Sequence, residues 1–363
     1  MPKSPRRHRP TRPLSTHPRP RSCAAELTIQ TRPKTCIARS TTPSPQTGTE
    51  RPGRRSPLSS LRTLLSFIAV LCVGAIVLTA CGSIASTEQP TEKPLVLTTF
   101  SVLEDMTKNV AGDHVQVRSI VPPGAEIHGY EPTPKDIAAA SKASLVLDNG
   151  LHLERWFERF TEQIKVKHVT VSSTVEPIKI SEDAAAGQPN PHAWMSPDAA
   201  VKYVQQIDKA LSELDPDHAA DFHANAQRYI GQITTVRDEL RRDLDALPAT
   251  SRALVTCEGA FSYLARDMHL TEHYIWPVNS ENEATPQQLA RTIAAVKKDK
   301  IPAVFCESTV SDDPMQQVVR ETGARFGGIL YVDSLSDPKG PVPTYLDLLR
   351  HDARTIVKGL SGK

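Results

Sequence analysis

Between positions 217 and 246 the chain contains no proline and a single glycine, Gly231, with Asp215-Pro216 before it and Pro248 after it. Apolar residues at Phe222, Ala226, Ile230, Ile233, Val236, Leu240 and Leu244 step by three or four, which is the helical period. The spacing predicts one linking helix over 216–247, about 45 Å long at about 1.5 Å per residue. Such a helix is a stiff strut, and it divides the chain around it. Upstream, strand-like runs at 95–100, 115–121, 144–148 and 168–172 alternate with helical stretches such as 102–111 and 151–164. Downstream, runs at 253–257, 274–277, 303–306 and 328–332 repeat the alternation. Each series predicts a parallel sheet flanked by helices. The fold class is therefore α/β, with two lobes at 95–215 and 248–363 joined by one long rigid helix. His218 and His223 on that helix read as surface polar residues rather than ligands.

The first eighty residues set the compartment. Positions 63–80 are uncharged and apolar, follow Arg62 and further arginines, and close on Leu78-Thr79-Ala80-Cys81. This is the pattern of a signal sequence ending in a lipobox, with Cys81 the residue acylated after cleavage. An uncleaved transmembrane helix is the alternative, since about eighteen apolar residues just span a bilayer. Either way the arginines on the N-terminal side place the rest outside the cytoplasm, anchored to the cell membrane. Positions 82–94 then form a polar tether. Positions 1–62 hold 14 of the chain's 43 basic residues but only 2 of its 41 acidic ones, so the formal charge of +2 conceals a remainder near −10. A basic arm suits nucleic acid, but one removed with the signal sequence cannot serve the mature protein, and no nucleic-acid partner is expected. We read 1–62 as a disordered Pro/Arg-rich extension or as untranslated, with synthesis starting at a non-Met codon near Leu58 or Leu61.

Four short segments each end on a good metal donor. They are His128 in Gly124-Ala-Glu-Ile-His128, His192 in Asn190-Pro-His192-Ala-Trp194, Glu258 in Thr256-Cys-Glu258-Gly259, and Asp333 in Tyr331-Val-Asp333-Ser334. Three of them follow or approach an apolar, β-branched run, so loops at strand ends can bring all four together. Two imidazoles and two carboxylates make a site for a divalent metal.

These segments, with Val304-Phe-Cys-Glu-Ser-Thr309, carry a resemblance in their order and spacing. From about Leu95 to Leu360 the chain resembles the metal-binding lipoproteins of bacterial ABC importers for manganese and zinc, a solute-binding family with two α/β lobes joined by one long helix. The resemblance implies a receptor that hands its ion to a permease and its ATPase, and it assigns the metal to His128, His192, Glu258 and Asp333. A monomer is expected. Zinc-type members carry a third His where this chain has Glu258, and often a His-rich loop, whereas only His152 and His168 lie between His128 and His192 here. Carboxylate oxygens suit harder ions and permit coordination numbers above four, so the ligand set points to Mn²⁺. Mn²⁺ stands at the weak end of the divalent series, so Zn²⁺ or Fe²⁺ on the same ligands remains the alternative.

Once Cys23, Cys36 and Cys72 are removed with the leader and Cys81 is acylated, Cys257 and Cys306 remain in an oxidising compartment. Each ends a strand, so a disulfide is geometrically reasonable and two buried thiols are the alternative. Such a bond would couple redox state to the loop carrying Glu258. Tyr130 and Trp194 either shield the site or pack in the core, and Asn190 and Glu131 are candidates to orient the ligands. Glu281, Asn282 and Glu283 read as solvated surface, and Asp312-Asp313-Pro314 as a helix start capped by Asp. A metal-dependent hydrolase is the competing class. The chain has no His-Glu-x-x-His pair, Gly-x-Ser-x-Gly elbow or phosphate-binding glycine loop, so no enzyme is expected. A surface adhesin would need no metal site.

Overall fold

The computed structural model describes residues 92–161, 164–278 and 284–362. The expectations for the extension, the signal segment, Cys81, most of the tether, and Glu281, Asn282 and Glu283 lie outside the described residues. Among the described residues no helix is long and apolar enough to cross a membrane.

The first lobe is an all-parallel sheet of β1 (Leu95–Thr98), β2 (Gln116–Ser119), β3 (Leu145–Asp148) and β4 (His168–Thr170), in the order β2-β1-β3-β4. Central β1 and β3 are apolar nearly throughout because helices cover both faces, so no alternation is needed. Helices α1 (Ser101–Ala111), α2 (Pro134–Ala140) and α3 (Arg155–Thr161) follow the first three strands. At α2, Thr133 and Asp136 form a reciprocal capping box with Pro134 in the first turn, which fixes where the loop after β2 ends.

Helix α4 (Pro197–Leu214), capped by Ser196 on Ala199 N, pairs with the linking helix α5 (Ala219–Asp245). The linker is 27 residues long, about 40 Å, and is preceded by one 3-10 turn at Pro216–His218. Its buried stripe is Phe222, Ala226, Tyr229, Ile233, Val236, Leu240 and Leu244. The predicted stripe is corrected at one position. Tyr229 is buried and Ile230 half-buried, because 229 keeps the alternating steps of four and three on one face. Burying each large side chain of this stripe contributes about 1.5–3 kcal/mol. His218 is half-buried and His223 exposed, and they pair with Asp215 and Asp208.

The second lobe contains β5 (Ala253–Glu258), α6 (Ser262–Asp267), β6 (Thr271–Trp276), α7 (Pro286–Asp299), β7 (Ala303–Glu307), α8 (Asp313–Thr322), β8 (Arg325–Leu330) and α9 (Tyr345–Ser361). Backbone ladders join β5 to β6 and β7 to β8, all parallel, while the Cys257–Cys306 disulfide joins β5 to β7. The spatial order β6-β5-β7-β8 thus repeats that of the first lobe, with a seam in the middle where a disulfide and side chains replace the ladder. Asp312 precedes α8 as expected, but it makes no side-chain cap. Its backbone is already helical, so its carboxylate instead accepts from the Gln316 amide.

One apolar core runs from Val96 and Leu147 through Tyr203 and Ile233 to Phe305 and Leu330, so the two lobes share packing. The final helix α9 also returns to the first lobe, where Tyr345 N donates to Asp105 at 3.0 Å and the Tyr345 hydroxyl donates to Trp194 O.

Candidate metal centre

Parallel sheets place their functional loops at the carboxyl ends of strands. Glu258 is the last residue of β5, Asp333 lies three residues beyond β8, and His128 sits in the loop between β2 and α2. His192 opens the 3-10 turn Ala193–Met195 that leads into α4. One donor atom from each of these four residues lies within 4.8 Å of all the others. His128 Nε2 is 3.2 Å from His192 Nε2 and 3.5 Å from Glu258 Oε1, while His192 Nε2 is 3.4 Å from Glu258 Oε1 and 3.6 Å from Asp333 Oδ1. Three of the four side chains are fully buried, and His128 alone keeps 9% exposure, so solvent reaches the site on its side.

Burial holds both imidazoles below the usual histidine value, and the neighbouring His192 lowers His128 further. Both are therefore neutral near pH 7, as metal ligands must be. Asn190 selects the His192 tautomer. Its Oδ1 accepts from the backbone N–H of His192 at 3.0 Å, which identifies that atom as oxygen, and it also lies 3.0 Å from Nδ1. Nδ1 must therefore carry the proton, leaving the Nε2 lone pair directed into the site.

The segments carrying His128 and His192 are tied across to residues that adjoin Glu258 and Asp333. Asn190 Nδ2 donates to Gly259 O at 2.6 Å, next to Glu258. Trp194 Nε1 donates to Val332 O at 3.0 Å, next to Asp333. In the His128 loop, Gly124 N donates to Ser334 Oγ at 2.6 Å, on the other side of Asp333. Ser101 completes that contact, accepting from Leu335 N at 2.9 Å and lying 3.3 Å from Ser334 Oγ. The Trp194 ring both packs at a tilt against His192, at 5.2 Å between centroids, and packs edge-on against Phe100 in the core. Tyr130 packs against Trp156 and donates to Asp136, so it braces the His128 loop.

Of the two residues expected to orient the four donors, Asn190 contacts one of them, His192, and Glu131 contacts none. Glu131 is exposed, and Glu126 accepts from His128 N and Gly129 N instead, each at 2.8 Å. A short turn explains the difference, because a carboxylate two residues before His128 faces that backbone whereas one three residues after it points outward. Glu307 and Glu154 are further buried carboxylates that sequence reasoning did not single out. Glu307 accepts from Glu258 N at 3.1 Å, and its carboxyl is pushed well above the usual range by burial and then by Glu258. Burial, and then the Asp148 carboxylate, raise Glu154 to about 7. Glu154 accepts from Asn149 N, and Asn149 Nδ2 donates to Pro191 O, so it supports the His192 segment from below. The signal for Glu307 in the sequence was a lone acidic residue closing the apolar run 303–306.

Gly259 also has a steric reason to lie beside Glu258. A Cβ there would come within 2.9 Å of the Tyr274 ring and 3.0 Å of Pro277 O.

Two parallel-sheet lobes spanned by a long helix, with an inward-facing set of two imidazoles and two carboxylates between them, define a metal-receptor class of solute-binding protein. The family model described as zinc-uptake complex component A, periplasmic (ZnuA), matches residues 96–359. The chain belongs to this family. It is 47% identical over 295 residues to the iron-binding protein YfeA of Yersinia pestis, covering 81% of this chain and 95% of that protein. It is 31% identical over 305 residues to the manganese ABC transporter substrate-binding lipoprotein PsaA of Streptococcus pneumoniae, covering 82% and 99%. Among solved structures, a Mn-bound S38A mutant of a periplasmic metal binding protein from Candidatus Liberibacter asiaticus matches with a TM-score of 0.71 and 42% identity, covering 74% of this chain and all of that one. The periplasmic zinc binding protein TroA of Treponema pallidum matches with a TM-score of 0.69 and 28% identity, covering 74% and 99%. The metals named for these relatives differ, so family membership alone does not select one.

Proposed function

We propose that this protein is the extracytoplasmic receptor of an ABC importer, capturing Mn²⁺ as cargo between its lobes and delivering it to a membrane permease driven by a cytoplasmic ATPase. The observation that carries the reading is the buried convergence of His128, His192, Glu258 and Asp333 within 4.8 Å. Two neutral imidazoles and two carboxylates balance a divalent charge in formal terms, which lowers the cost of enclosing it. Two carboxylates, each able to bind through both oxygens, favour a hard ion with more than four donors over tetrahedral zinc. Zinc or ferrous iron is the second reading, favoured by YfeA and TroA, whose names specify iron and zinc. A hydrolase would need a coordination position open to water, whereas two carboxylates each binding through both oxygens beside two histidines would close the shell.

In the same reading, 63–80 is a signal sequence, Cys81 carries the lipid anchor, and 82–94 tethers a monomeric domain whose lobes at 95–215 and 248–363 flank the linker at 216–247. PsaA, named as a lipoprotein, supports the anchor. Release withdraws ligands by a small displacement, since the shared core and stiff linker disfavour wide opening. The test is competition at equilibrium between Mn²⁺, Zn²⁺ and Fe²⁺ on the full chain in detergent, beside elemental analysis of protein isolated from cell membranes. Mn as the cell-loaded ion supports the proposal, and stoichiometric Zn or Fe in its place moves the cargo to the second reading.

A further inference from the structure

On a central strand of a parallel sheet, successive N–H groups point alternately to the two neighbouring strands. At the end of β5, Gly259 N donates to Trp276 O of β6 at 2.9 Å. The preceding N–H, that of Glu258, therefore points across the seam towards β7, where no ladder joins the two strands among the described residues. The group that meets it is a side chain: Glu307 Oε2, at 3.1 Å. Glu307 is the last residue of β7, is fully buried, and adjoins Cys306, whose disulfide partner Cys257 adjoins Glu258. The seam is thus clipped twice at the metal end, once covalently and once by this carboxyl.

The second oxygen of Glu307 has no hydrogen-bond partner among the described residues. A fully buried carboxyl with one oxygen orphaned costs folding stability, and an apolar residue of similar volume would not incur that cost. Its place in the fold is therefore better explained by what its other oxygen holds. We propose that Glu307 is a positioning residue for metal capture, standing in for the missing strand partner of Glu258 and fixing where the Glu258 carboxylate meets the ion. The proposal rests on Glu258 being a ligand. It adds that the ligand's placement depends on a residue that does not itself reach the metal.

Glu307→Met keeps the volume and removes the acceptor, whereas Glu307→Gln keeps an amide oxygen for the same N–H. Mn²⁺ affinity is measured on the full chain in detergent, with thermal melting of the metal-free forms as the check on folding. Loss of a group that holds a ligand typically weakens metal binding about 10–100-fold. Glu307→Met is expected to show a loss of that size while melting at or above the wild-type temperature, and Glu307→Gln to stay within about threefold of wild type. If Glu307→Met does not fold, Glu307→Ala carries the same comparison. Wild-type affinity in the acceptor-less variant overturns the proposal, as does a Gln variant as weak as the Met one. A wild-type chain that binds no metal overturns the four-ligand reading instead, and this proposal with it.

Discussion

The carboxamide of Asn190 bridges the two halves of the site, with its oxygen 3.0 Å from Nδ1 of His192 and its nitrogen 2.6 Å from the carbonyl oxygen of Gly259. One side chain therefore sets the tautomer of His192 in the first lobe and grips the residue beside Glu258 in the second. Asn190→Ala frees His192 to rotate and to move its proton to Nε2. The expected result is a loss of about 10–100-fold in Mn²⁺ affinity, measured by calorimetry, with the folded state retained. Asn190→Asp restores the acceptor but not the donor to Gly259, and should recover only part of the loss.

The pH dependence follows from the buried imidazoles. His128 and His192 both titrate below the free histidine value of about 6.5 because burial opposes their charged forms. Between 8 and 6.5 both therefore stay mostly neutral in the folded state, so Mn²⁺ affinity should change less than it would with exposed histidine ligands. Below 6.5 the unfolded chain binds protons that the folded site refuses. The two histidines therefore make the metal-free protein lose stability as pH falls from there. A tenfold fall in Mn²⁺ affinity between pH 7.5 and 6.5 would contradict this.

The Cys257–Cys306 disulfide closes a separation of 49 residues and lies one residue from Glu258. Reduction should lower stability by about 2–5 kcal/mol, read by chemical denaturation. It should also weaken Mn²⁺ binding, because among the described residues β5 and β7 have no ladder between them and reduction removes their covalent clip. Equal affinity with and without reductant would separate the disulfide from the site.

Much of this was legible in the sequence because the governing periods are local. The eight strand-like runs each fall on an observed strand, to within a few residues at either end. The helix from Ala219 to Asp245 announced itself by its period and its lack of proline. The four candidate donors stood out because each is a metal-binding residue type in a short segment, three of them beside an apolar, strand-like run. What stayed hidden depends on contacts between distant segments. Ser101 and Ser334 meet from opposite ends of the domain, and nothing near either one signals the other. Glu131 looked as good as Asn190 beside a ligand, since only the turn geometry brings Glu126 to the backbone of His128 instead. The seam between β5 and β7 was equally invisible, because a strand's sequence does not say which neighbour completes its ladder.

The central claim is that His128, His192, Glu258 and Asp333 hold one Mn²⁺. Its most direct test is elemental analysis of the full chain after chelation and reloading with Mn²⁺, run beside Glu258→Ala. The account predicts one Mn per wild-type chain and its loss or severe weakening in the variant. No Mn retained by the wild type, with one Zn bound equally by both proteins, would contradict it and return the chain to a zinc receptor that does not need Glu258.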